Sequence, residues 1–340
     1  MRGVTNTGNR TVEVRDFADP HAGPGEAVVQ IRAAGLCGSD LHSYRGDRVT
    51  GLVNGHEPCG VIAELGAGSP PGLAIGDRVM VHHYAGCGVC ETCTMGYEQL
   101  CLRGNSVTFG GVNGHGANSE YMLVPSRTLV PLPDELSFEE GAAVACGTGT
   151  AWNGLRKMGV SGRDTVAVFG QGPVGLSGTL CARAMGARVI AIDVIPERLR
   201  LAKELGADHV IDASAGDAVA AVRELTSGGA SAGLETSGNA GARAQVLRAL
   251  RPFGRACYVG LGSPNSAEID FGNLILNVTT VYGSWTFSKS ELIEIARFMV
   301  EAQVPLERMF THRWSLEQAE EAFRLFDSGA TGKCVFVLDA

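Results

Sequence analysis

From Asp164 to Gly262 the chain alternates between two patterns. Short apolar β runs (DTVAVFG, RVIAIDV, HVIDA, ASAGLETSG and GRACYVGLG) are separated by stretches of helical spacing. The first of these is GPVGLSGTLCARAMGA. PERLRLAKELGA follows, with Pro at its start and Gly near its end, and AVAAVRELTSGG and AGARAQVLRALRP complete the set. Strands spaced by helices of about 10 to 15 residues predict a parallel sheet built from βαβ units.

Sequence of another kind flanks this region on both sides. The first 150 residues are β-rich and irregular, with VEVRDF, EAVVQIRAA, GVIAEL, DRVMVHHY and EYMLVP reading as strands between Gly and Pro. After VTTVYGSW come two helical stretches, ELIEIARFMVEAQ and LEQAEEAFRLFDSG, then a strand, KCVFVLDA. At roughly 150 residues per domain, 340 residues predict two domains. A net charge of −8 argues against a nucleic-acid partner, which needs clustered cations. Mean hydropathy is +0.09, yet no apolar run approaches the ~18 to 20 residues of a membrane span. The opening MRGVTNTGNRTVEVRD lacks the form of a signal peptide, so the expected location is the cytoplasm.

Gly170-Gln171-Gly172-Pro173-Val174-Gly175 is G-x-G-x-x-G, placed between a β run and a helix. The first Gly permits a tight turn, the second lets backbone approach a pyrophosphate, and the third allows close helix packing. Asp193 ends the next β run, 18 residues after Gly175. An acid there accepts hydrogen bonds from ribose hydroxyls and repels a 2′-phosphate, which favours NAD over NADP.

The ten cysteines are unevenly spread. Cys87, Cys90, Cys93 and Cys101 lie within 15 residues, and the two-residue gaps let thiolates converge on one tetrahedral ion. Four thiolates leave no open position, so this reads as a structural zinc site. Cys37, His56 and Cys146 stand in GLCGSDLH, GHEP and ACGTGT. Two thiolates and an imidazole are the donor set of an open, catalytic zinc, although spacing alone does not join the three segments.

These motifs together resemble the zinc-dependent medium-chain dehydrogenase/reductase family of alcohol, polyol and threonine dehydrogenases. The likeness rests on G-L-C-G-S-D-L-H at 35–42, G-H-E-P-C-G at 55–60, G-D-R-V at 76–79, the four-cysteine lobe, the glycine motif and Asp193, in the family's order. It implies an α/β fold: a GroES-like β-rich catalytic domain over 1–148, completed by 285–340, and a Rossmann domain with a doubly wound parallel sheet over 149–284. It implies NAD and two zinc ions per chain, an alcohol or carbonyl substrate, and a homotetramer or homodimer.

The resemblance also implies roles. Cys37, His56 and Cys146 would hold the catalytic zinc. Glu57 would approach it during ligand exchange, and Asp40 would orient His56. Ser39 would take the alcohol proton and His42 pass it outward. Thr150 and Val174 would line the nicotinamide side. Arg198 would lie near the adenosine ribose and Lys333 near the pyrophosphate.

Two subfamily signals conflict. Cys146 stands where polyol-type members often have Glu, while C-G-S-D-x-H resembles the polyol and threonine branches. Gly38 replaces the Arg with which some alcohol dehydrogenases grip phosphate. His82, His83, Trp152, Trp285 and Phe287 are candidates for the pocket wall, with His83 lending it polar character. Cys59, Cys181, Cys257 and Cys334 read as core packing. Both zinc motifs argue against a zinc-free quinone or enoyl reductase, and the net charge of −8 with the nearly chain-wide enzyme motifs argues against a zinc-ribbon binding module.

Overall fold

The computed structural model describes residues 1–47, 49–104, 106–110, 113–262 and 264–338. Six strands form one sheet in the order His209–Asp212, Arg188–Asp193, Thr165–Phe169, Ala230–Glu235, Leu250–Tyr258, Thr280–Gly283, every neighbouring pair parallel. Along Thr165–Phe169 the side chains alternate in direction. Val166 and Val168 pack with Leu155, Leu176 and Leu180, while Ala167 and Phe169 pack with Val222, Val246 and Leu250. Both faces are therefore covered, which is why this strand is apolar at every position from Val166 onward. The strand order reverses beside Thr165–Phe169, and a crevice opens at such a point outside the carboxyl ends of the strands.

A second sheet draws on both ends of the chain. Its order is Phe310–Trp314, Lys333–Val337, Glu26–Leu36, Pro58–Leu65, Arg78–Val81, Leu129–Pro131, with Tyr121–Pro125 also paired to Glu26–Leu36. The C-terminal strand thus lies directly against the strand that ends beside Cys37.

Ser137 starts the helix that links the two regions, in a capping box with Glu140. Helix Phe138–Ala143 widens into a π-turn, Val144–Thr148, and continues as Gly149–Lys157. Such a bulge re-aims side chains at functional sites. Cys146 sits inside it, an element not apparent from residue spacing.

Three local readings need correction. DRVMVHHY is not one strand: Arg78–Val81 stops and Tyr84–Ala85 pairs elsewhere, leaving His82 and His83 between them. AGARAQVLRALRP ends as a helix at Arg248, and Leu250–Tyr258 has already begun as a strand through Pro252. Tertiary pairing with Ala230–Glu235 overrides the local helical pattern there. The N-terminal strand Arg2–Gly8, paired with Thr11–Asp16, carries no strong apolar alternation and was not expected.

Candidate metal centres and nucleotide crevice

The four sulfurs of Cys87, Cys90, Cys93 and Cys101 lie within 4.8 Å of one another. Cys87 and Cys93 are 3.9 Å apart and Cys90 and Cys101 4.0 Å, close to the edge of about 3.8 Å implied by a tetrahedron with Zn–S bonds of about 2.3 Å. A disulfide needs about 2.05 Å and is excluded. Gly88 at φ +73° and Gly96 at φ +88° make the bends that bring the thiols together. The Cys90 amide donates to Cys87 Sγ and the Cys87 amide to Cys101 Sγ, as thiolates require. Hydrogen bonds from the Thr92 hydroxyl and neighbouring backbone push the Cys90 thiol down to about 5. The lobe is tied down by Glu98, which accepts from the Gly86 amide at 2.6 Å and pairs with Arg127 at 3.1 Å.

The second cluster is assembled from three elements. Cys37 follows the strand Glu26–Leu36, His56 and Glu57 precede Pro58–Leu65, and Cys146 comes from the π-turn. Their donor atoms also lie within 4.8 Å of one another. Asp40 braces two of them. Its Oδ2 accepts from the Cys37 amide at 2.9 Å, and its Oδ1 lies 2.8 Å from His56 Nδ1. A proton on Nδ1 leaves Nε2 free to bind a cation. Ser39 Oγ stands at the mouth, 3.2 Å from His56 Nε2 and 3.3 Å from Cys37 Sγ.

The electrostatics of this group ask for positive charge. A hydrogen bond with Cys146 and the nearby imidazole hold the Cys37 thiol well below its ordinary range, against burial. The same hydrogen bond pushes Cys146 well up. Burial alone would lower His56, but Asp40 and Cys37 raise it well above the usual imidazole value. Burial pushes Glu57 up to about 8 even with Lys333 beside it. Glu57 Oε1 has no hydrogen-bond partner among the described residues. A zinc ion fits this donor set, since it would neutralise buried thiolates that otherwise share protons.

The nucleotide motif has the geometry its glycines predict. Gly170 takes φ +90°, and a Cβ on Gly175 would strike the Gly170 carbonyl oxygen. Helix Pro173–Ala184 starts at Gly172 with no side-chain cap, so its first amides stay available to an anion. Asp193 accepts from the Gln171, Val194 and Ile195 amides, which fixes its carboxylate beside the loop. The Arg198 guanidinium lies 3.7 Å from the place a Gly172 Cβ would take, and its Nε is buried without a partner among the described residues. A dinucleotide fits this cradle. The cradle and the metal cluster meet at Gly147, where a Cβ would sit 3.6 Å from Glu57 Oε1 and 3.7 Å from a methyl of Val174.

Comparison with known proteins agrees with both halves of this arrangement. Residues 23–134 match the family model of the alcohol dehydrogenase GroES-like domain, and 173–301 that of the zinc-binding dehydrogenases. The chain is 32% identical over 336 residues to an alcohol dehydrogenase of Geobacillus stearothermophilus, covering 97% of each. The chain belongs to the zinc-dependent medium-chain dehydrogenase/reductase family. It is 38% identical over 341 residues to an uncharacterized zinc-type alcohol dehydrogenase-like protein of Escherichia coli, with 96% of each covered. An L-threonine 3-dehydrogenase of Pyrococcus horikoshii is 34% identical over 333 residues, with 94% of this chain and 93% of the relative covered. Alcohol dehydrogenase TADH from Thermus sp. ATN1 superposes with a TM-score of 0.92 at 32% identity over 100% of both chains. The dehydrogenase is thus an NAD-dependent, zinc-containing oxidoreductase of the alcohol dehydrogenase type.

In the dehydrogenase the donor atoms of Cys37, His56, Glu57 and Cys146 come together, and Lys333 lies against them. Lys333, expected near the pyrophosphate, is 1% exposed and gives its ammonium to Glu57 Oε2 and, at 2.9 Å, to the Leu36 carbonyl. Its partner set belongs to the metal cluster. Gly35 leaves room for this pair, since a Cβ there would collide with the Glu57 carboxylate. Thr150 is buried on the helix that follows the π-turn, and His42 is exposed on helix Asp40–Arg45. His83 is fully buried. Its ring lies 5.1 Å from that of His56, and neither nitrogen has a well-formed hydrogen bond among the described residues. Burial and the neighbouring His56 hold it well below the usual imidazole value, so it is neutral.

Proposed function

We propose that Cys37, His56 and Cys146 hold the catalytic zinc, that Cys87, Cys90, Cys93 and Cys101 hold the structural one, and that the substrate is a primary or secondary alcohol or a polyol. The approach of Val174, at the start of the nucleotide helix, and of Glu57 to the place a Gly147 Cβ would take supports this reading, because a dinucleotide in the cradle would then lie beside the metal cluster. When bound, zinc would supply Lewis-acid polarisation of the substrate oxygen, and NAD the hydride acceptor. The chain's own residues do the rest. Asp40 keeps the proton on His56 Nδ1. Ser39 Oγ takes the proton of the substrate hydroxyl, and exposed His42 on the following helix delivers it to solvent. Gly170, Gly172, Pro173, Val174 and Gly175 cradle the dinucleotide, with Asp193 and Arg198 at its adenosine side and Thr150 near the nicotinamide.

The test is metal content per chain, paired with NAD⁺ and NADP⁺ reduction across primary alcohols, secondary alcohols, polyols and threonine. Two zinc ions and NAD⁺-linked turnover are expected, and the best substrate fixes the subfamily. Threonine is the second reading, supported by the threonine dehydrogenases among the relatives. The unpaired nitrogen of His83 favours a hydroxylated substrate over an aliphatic one. His83→Phe should lower the polyol-to-aliphatic ratio of kcat/KM about tenfold, the worth of one buried hydrogen bond. An unchanged ratio removes the preference.

The same reading places the domain boundaries at 148/149 and 284/285, the protein in the cytoplasm, and the chain in a homo-oligomer. Among the described residues, strand Thr280–Gly283 pairs on one side only, and the nearby helix Phe271–Leu276 buries none of its residues. An open edge beside exposed Phe271, Ile275 and Leu276 suits a second copy related by a two-fold axis. Val281→Lys on that edge should shift the mass in analytical ultracentrifugation toward the monomer.

A further inference from the structure

The four-cysteine lobe also reaches the segment 285–287, through one buried amide. Gln99 lies on the turn Glu98–Leu100, just before Cys101, and is 5% exposed. Its Nε2 is 3.0 Å from Thr286 Oγ1, 3.2 Å from the Phe287 carbonyl and 3.3 Å from the Trp285 carbonyl. Thr286 has φ +51°, a left-handed conformation that is costly for a β-branched residue. Such a residue persists only where its surroundings over-determine it. Here Asn153 donates to the Thr286 carbonyl at 2.8 Å, and His82 Nε2 lies 3.0 Å from the Phe287 carbonyl.

The strained backbone fixes two rings in different settings. Phe287 is fully buried, whereas Trp285 is 47% exposed. Trp285 stands edge-on to Tyr84 at 5.7 Å, Tyr84 packs on His83 at 4.2 Å, and His83 on His56 at 5.1 Å. The row of rings runs from the metal-binding histidine to an indole at the surface.

We infer that Gln99 is a positioning residue that sets Trp285 at the mouth of the substrate site, which makes the four-cysteine lobe a determinant of alcohol selectivity. This rests on the reading that substrate binds beside Cys37, His56 and Cys146. Trp285 then forms an outer wall, met by bulky alcohols and scarcely by small ones. Gln99 touches neither substrate nor cofactor and acts through Thr286.

The test uses the zinc-loaded full chain with Gln99→Leu, Trp285→Ala and the double variant, and 2-propanol and 1-phenylethanol as probes. Gln99→Leu should change the ratio of kcat/KM between the two alcohols about tenfold, mainly through KM. Trp152 and Trp314 are buried, so acrylamide quenching of tryptophan fluorescence reports chiefly on Trp285 and should change as well. The ratio in the double variant should equal that of Trp285→Ala alone, since the amide has nothing left to position. An unchanged ratio with unchanged quenching, or additive effects in the double variant, overturns the proposal. Should Gln99→Leu fail to hold two zinc ions, Thr286→Gly decides. It keeps the amide but frees the backbone, and must reproduce the shift in quenching; a silent variant overturns the proposal. Loss of the underlying reading looks different: Cys146→Ala would then keep both its second zinc and its turnover.

Discussion

Cys146→Ala is expected to take zinc from two ions per chain to one and to lower NAD-linked alcohol oxidation by roughly a thousandfold or more, several kcal/mol of transition-state stabilisation. Cys146 enters the cluster from the π-turn, on a different element from Cys37 and His56, so its loss removes one of the three zinc donors. The remaining thiolate and imidazole hold a divalent ion far less tightly. The four-cysteine lobe lies on separate elements and keeps its metal. Far-ultraviolet circular dichroism should be unchanged, because Ala suits the interior of the helix spanning 138–157. Zinc analysis and kcat/KM are read on the same preparation. Two ions per chain with undiminished turnover would sink the assignment of Cys37, His56 and Cys146.

What could be read from the sequence divides along physical lines. The four-cysteine lobe is local, with two to seven residues between successive ligands, so spacing alone brings its thiols together. The nucleotide cradle is local too, since Gly170 to Gly175 and Asp193 belong to one βαβ unit. The second metal cluster is not. Its members sit on a strand end, a loop and a helix bulge, and only likeness to a family joined them beforehand. The π-turn carrying Cys146 leaves no periodic trace, because one widened turn interrupts the 3.6-residue repeat. His82 and His83 looked like the end of a strand, but the pairing of Arg78–Val81 stops first and the pair turns inward. Gln99 is a polar residue in a loop by sequence, and its three backbone and side-chain acceptors lie more than 180 residues away. Lys333 is the clearest case. A lysine opening an apolar strand reads as a charge for solvent or for a phosphate, and nothing local announces a carboxylate 276 residues earlier.

That pair carries the largest expected effect on stability. Lys333 is 1% exposed and Glu57 0%, so neither charge can recruit water when the other is lost. Lys333→Met fills the same space without an ammonium. It leaves the Leu36 carbonyl without its donor and Glu57 buried next to the Cys37 thiolate. Breaking a buried pair in this way costs about 3–5 kcal/mol while Glu57 stays ionised, and less below about pH 8, where the carboxyl takes up a proton, so the loss should grow as pH rises. Glu57→Gln combined with Lys333→Met removes both charges, and should recover most of that loss, because a neutral amide is far cheaper to bury than an unpaired carboxylate. Urea unfolding of the four proteins in the cycle measures the coupling directly, provided the slope with denaturant stays constant. A Lys333→Met variant as stable as the parent, or a double variant no better than the single, would show that the ammonium is not what makes Glu57 tolerable beneath the metal cluster. The expected outcome has a functional corollary. Glu57 Oε2 is held by Lys333, and a carboxylate oxygen of Glu57 lies within 4.8 Å of the donor atoms of Cys37, His56 and Cys146, so the lysine fixes the carboxylate's place beside that donor set. Lys333→Met should therefore also alter the rate at which a chromophoric chelator withdraws the second zinc, leaving the lobe's zinc release unchanged.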